Sequence, residues 1–83
     1  MNQHFASLVL GLAAQANAAL DGQLPPGAAE AGAGNARQLA QALIETLNAL
    51  ELKTRGNLEP DEQQLVTQAL TALRFRFATG KAR

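Results

Sequence analysis

No cysteine, tryptophan or tyrosine occurs among the 83 residues. Without cysteine the chain forms no disulfide and offers no thiolate metal site. Phe5, Phe75 and Phe77 are its only aromatic rings, so it has little on which nucleic-acid bases could stack. His4 is the sole histidine, and one imidazole does not make a metal centre. An excess of one charge is also missing, since seven basic residues face seven acidic ones. The balance hides an asymmetry. Residues 1–62 hold Arg37, Lys53 and Arg55 against all seven acids, a net −4, whereas residues 63–83 hold Arg74, Arg76, Lys81 and Arg83, a net +4. That basic end is a weak electrostatic handle at most. The length allows one domain with a modest core, and association with further chains is a common supplement at this size.

What is present is apolar periodicity. Residues 5–20 are nearly all apolar or small. One reading is a secretory signal, with Ala14-Gln15-Ala16 or Ala16-Asn17-Ala18 as cleavage site. Residues 1–4 carry no Lys or Arg, however, and the stretch is short for a membrane span, with Gln15 and Asn17 inside it. The favoured reading is an amphipathic helix over about 3–20. Phe5, Leu8, Val9, Leu12, Ala13, Ala16, Ala19 and Leu20 then share one stripe. Opposite them, Ser7, Gly11, Ala14 and Ala18 recur at spacings that let a second backbone approach closely. This back is either a self-association face, which Phe75 would extend, or an exposed Ala-rich surface that needs no partner.

Residues 21–35 are punctuated by Gly and Pro and read as a flexible spacer. A second helix is expected over 36–54, opened by Asn35 with Gln38 three residues on. Its core stripe is Ala36, Leu39, Ala40, Leu43, Ile44, Leu47 and Leu50, with Leu52 on the polar side. A turn at 55–59 leads to a third helix over 60–79, whose Leu65, Val66, Ala69, Leu70, Leu73 and Phe77 face inward. Lys53, Thr54, Arg55, Gly56, Asn57 and Pro60 make the reversal. Gly56 supplies the left-handed conformation that closes a helix, and Pro60 suits the first helical position. Asp61 and Glu62 complement the dipole of the helix start. Thr54 is expected to close helix two, and the Asn57 side chain to bond the turn backbone.

Chemistry is scarce. Ser7 has no base arranged around it. Glu59, Asp61 and Glu62 could be taken for a cation site, but acids gather at helix starts for dipole reasons, and no EF-hand spacing is present. Lys53 and Arg55 beside Gly56 could cradle an anion, yet phosphate-loop spacing is absent and three acids follow. Arg74, Arg76, Lys81 and Arg83 form a small basic patch, which leaves nucleic-acid association as the alternative function.

Three stretches carry a resemblance: 5–16 at the front, then 40–47 with 50–58, then Pro60-Asp61-Glu62 leading to Leu73-Arg74-Phe75-Arg76-Phe77. Together they resemble the domain of unknown function 1844 family of small bacterial proteins, and the Lys53–Leu58 run is the most specific match. The resemblance implies a short helical, non-secreted protein and no established reaction. Glu59 stands where the family tends to place Thr or Ser, a departure that loosens the expected cap. The linker is also richer in Ala and Gly than the family's.

The expectation is therefore an all-α domain of three helices. Helices two and three form an antiparallel hairpin, helix one packs across them, and dimerisation completes the fold. The expected role is a non-enzymatic, cytoplasmic interaction module that pairs with itself or with another protein. It is expected to use no cofactor or metal and to engage neither nucleic acid nor a membrane.

Overall fold

The computed structural model describes residues 1–23 and 35–80. Helix α1 spans Gln3–Leu20, α2 spans Ala36–Thr54 and α3 spans Pro60–Gly80. Most of the expected spacer, 24–34, lies outside the described residues.

Each helix starts and stops for a local reason. Asn2, in extended conformation, opens α1 by accepting the Phe5 N–H at 2.9 Å. Asp21 and Gly22, read from sequence as linker, in fact finish α1. Gly22 turns to φ +92°, its N–H donates to Ala19 O at 2.9 Å, and Gln23 N–H donates to Ala18 O at 3.0 Å. These are the two bonds of a Schellman motif. Asn35 opens α2 as expected, accepting from Gln38 N–H at 2.8 Å. At its far end the Thr54 hydroxyl donates to Leu50 O at 2.7 Å. Arg55 then leaves the helix at φ −58°, ψ 132°, Gly56 follows at φ +91°, and Asn57 N–H donates to Thr54 O at 2.9 Å. This matches a type II turn, which needs a positive φ at its third residue. Gly56 thus sits in the turn beyond the helix rather than closing the helix itself. The turn is shut by the backbone N–H of Asn57, where the sequence pointed to its side chain.

Cross-helix bonds fix the directions. Gln63 and Thr67 reach Glu51, Arg74 reaches Asn48, and Arg37 lies against Phe77, so α2 and α3 run antiparallel. Helix α1 bonds to α3 at both ends, through Asn2 with Glu62 and Asn17 with Arg76. Those pairs are 60 and 59 residues apart, so α1 packs on the hairpin in the same direction as α3.

The core draws three buried apolar residues from each helix: Val9, Ala16 and Ala19; Ala40, Ile44 and Leu47; Val66, Leu70 and Leu73. Leu12, Leu43, Leu65 and Phe77 pack around them, and Leu58 closes the core from the turn. Fully burying a Leu or Val stabilises by about 1.5–3 kcal/mol, so these residues dominate the fold. Leu8 departs from the expected stripe: it is 49% exposed, because the buried arc of α1 is centred on Val9 and Ala16 and Leu8 lies at its rim. Leu52 is exposed at the end of α2.

Candidate functional site

The hairpin turn is organised by a residue that sequence reasoning passed over. Glu51 has a side chain only 13% exposed. Its Oε2 accepts from Gln63 Nε2 at 2.9 Å and from the Thr67 hydroxyl at 3.2 Å, while Oε1 lies 3.8 Å from the Arg55 guanidinium. Of the two cations proposed to cradle an anion, Arg55 already has a carboxylate, and Lys53 is exposed. Glu four residues ahead of Arg on one helix face was the available signal.

The acidic trio divides its work. The Met1 amino group sits 3.0 Å from Glu59 and 3.7 Å from Asp61. Its pKa is raised, chiefly by the hydrogen bond to Glu59 and then by the charge of Asp61. Glu62 is different: it is 5% exposed and accepts from Asn2 N–H at 2.7 Å and Glu59 N–H at 2.9 Å. The Asn2 amide first, and the Glu59 amide second, hold its carboxyl below the usual range. Among the described residues no group of three or more His, Asp or Glu side chains is placed to hold a metal ion. Glu62 occupies the third helical position, counting Pro60 as the first, so its bond to Glu59 N–H is half of a capping box. That half is made even though Glu59 is a poor cap itself. Reading Pro60 together with Glu62 would have found it.

The basic end is split between neighbours. Arg74 donates to Asn48 Oδ1 at 2.7 Å beside a groove of about 180 Å³ lined by Gln41, Ile44, Glu45, Asn48, Arg74 and Phe77. Arg76 turns to α1, donating to Asn17 O at 3.2 Å and Asn17 Oδ1 at 2.8 Å and pairing with Asp21. Lys81 and Arg83 lie outside the described residues. Arg37, exposed on α2, stacks on the Phe77 ring at 3.8 Å and donates to Phe77 O at 3.2 Å. It therefore serves the carboxyl end of α3, where a cation complements the dipole.

Among the described residues, the outward face of α1 is open. Ser7, Gly11 and Ala14 are exposed and Ala18 is half-buried. At 100° per residue they form a shallow floor, with Leu8 on one edge and Leu10, 55% exposed, on the other. Within Gln3–Leu20 there is no Asp, Glu, Lys or Arg. A Cβ built on Gly11 meets nothing within 4 Å among the described residues, so their packing does not require a glycine there. Phe75, 71% exposed, stands on the outer face of a different helix, α3. No described helix is long and apolar enough to cross a membrane.

Fold and surface together define a small all-α domain of three mutually packed helices, with an exposed, uncharged face on α1. The model of the domain of unknown function DUF1844 matches residues 2–79, and the chain belongs to that family. No curated protein and no solved structure matches the chain.

Proposed function

We propose that this protein is a non-enzymatic interaction module that pairs with a second copy of itself through the outward face of α1. The observation that carries the reading is an 18-residue helix without one charged side chain, exposing Leu8 and Leu10 beside Gly11. A helix face meant for water alone ordinarily carries charge. Glycine inside a helix costs about 0.5–1 kcal/mol relative to alanine. Close approach of a second backbone offsets that cost, and nothing among the described residues does so. Two copies of one uncharged face meet without stranding a charge, in the manner of a two-fold interface. Any cellular protein partner would use the surfaces that pairing leaves free.

Light scattering and sedimentation at micromolar concentration test the reading. The native chain is expected to be a dimer. Leu10→Glu is expected to be a monomer with unchanged helicity, because Leu10 lies outside the core. A native chain that sediments as a folded monomer overturns the proposal.

A further inference from the structure

We propose that Glu62 is a protonation-controlled latch. Its carboxylate holds the first turn of α1 against the start of α3, and neutralising it frees that turn while the α2–α3 hairpin stays folded.

The geometry carries the inference. Glu62 is nearly inaccessible, and its two oxygens take N–H groups from two distant parts of the chain, Asn2 at 2.7 Å and Glu59 at 2.9 Å. A carboxylate accepts at both oxygens, whereas a carboxylic acid turns a donor toward one of the two amides. Protonation therefore weakens at least one of these two part-buried bonds, and an amide N–H that loses its acceptor is costly. Asn2 is the residue whose side chain and carbonyl start α1, accepting from Phe5 N–H and Ala6 N–H. Loosening Asn2 loosens the helix start.

The hairpin has separate ties, through Glu51 to Gln63 and Thr67 and through Asn48 to Arg74. The charged groups around Glu62 are the Met1 amine ahead of α1 and, on its own turn, Glu59 and Asp61, which pair with that amine. Among the described residues the Met1 amine is the one charge that acts on Glu62 appreciably, and α2 supplies none. The carboxyl is held below its ordinary range. The latch is therefore fully closed above the usual glutamate pKa and opens as pH falls through the depressed value.

Amide hydrogen exchange followed by NMR, from neutral pH to below the glutamate range, tests this on the whole chain. In the native protein, acid should strip protection from Asn2, Phe5 and Ala6 by at least about tenfold, while Ile44, Leu47 and Leu70 remain protected. Glu62→Gln should show that loss already at neutral pH and respond little to acid. Native-like protection of Asn2 in Glu62→Gln, or an equal loss in all three helices, overturns the latch. Should that variant fail to fold, the native chain still decides. The Asn2 and Glu59 amide shifts must titrate together with one midpoint below the usual glutamate range, and separate or absent titrations refute the proposal.

Discussion

Arg76 of α3 donates to both the backbone and the side-chain oxygen of Asn17 in α1, at 3.2 and 2.8 Å. With the Asp21 ion pair, this fastens the carboxyl end of α1 at the point where the chain leaves the helix. Arg76→Ala removes all three interactions. These groups are partly exposed, so the loss should be about 1 kcal/mol or less. It should shrink in high salt, which screens the Asp21 pair but spares the Asn17 bonds. Thermal melts of native and variant chains at low and high ionic strength check this. Arg76→Lys should restore little, because an ammonium group lacks the guanidinium fork that spans Asn17 and Asp21.

Gly11, Gly22 and Gly56 should not all respond with the same sign. Gly22 and Gly56 hold φ of +92° and +91°, where a side chain is strained whatever space surrounds it. Gly22→Ala and Gly56→Ala should each destabilise by about 1–3 kcal/mol. Gly11 lies inside α1 with ordinary helical φ and open space at its Cβ position. In the Leu10→Glu background, where pairing is removed, Gly11→Ala should instead stabilise by about 0.5–1 kcal/mol, because no second backbone is then there to offset the cost of the glycine. Urea titrations of the three variants measure the ordering directly.

Burial separates leucines that composition treats alike. Leu47 is fully buried among all three helices, and Leu52, one and a half turns on, is 54% exposed. Leu47→Ala should cost about 2–5 kcal/mol, enough to unfold much of a domain this small. Leu52→Ala should stay within about 0.5 kcal/mol of the native chain. Urea midpoints for the pair test the assignment of the α2 faces.

The core stripes were legible because helix periodicity is a property of the sequence itself. Three helices follow from apolar spacing plus Asn35 and Pro60, and the hairpin follows from its short turn. Leu8 was misplaced because periodicity gives the direction of a stripe but not how wide an arc the neighbours cover. The cross-helix polar bonds were illegible for a similar reason. Glu62 with Asn2 and Arg76 with Asn17 join residues about 60 apart, and no local pattern announces such a register. Arg37 is exposed, and no local pattern announces that the Phe77 ring lies beneath its guanidinium. Near the turn, local rules named Gly56 and Pro60 but only partly explained Lys53, Thr54 and Arg55. Thr54 belongs to the α2 terminus and Arg55 to the Glu51 cluster, which forms only once α3 lies alongside, while Lys53 stays exposed.

That cluster makes the final prediction. The Glu51 carboxylate is shared by Gln63, Thr67 and Arg55, but unequally. Gln63 and Thr67 donate from α3 within hydrogen-bond distance, whereas Arg55 stands 3.8 Å away with its side chain 64% exposed. The bonds to α3 should therefore dominate. Glu51→Ala should cost about 1–2 kcal/mol, because it strands the donors of a partly buried cluster. Arg55→Ala should cost under about 0.5 kcal/mol, because its mostly exposed guanidinium stands 3.8 Å from the carboxylate, just beyond the end of α2. A double-mutant cycle between Glu51 and Gln63 should give a coupling energy of at least about 0.5 kcal/mol. The cycle between Glu51 and Arg55 should give less and fade with salt. If the Arg55 coupling proved the larger, the turn would be held by its own helix end rather than by α3. Its residues would then have to be explained without the hairpin.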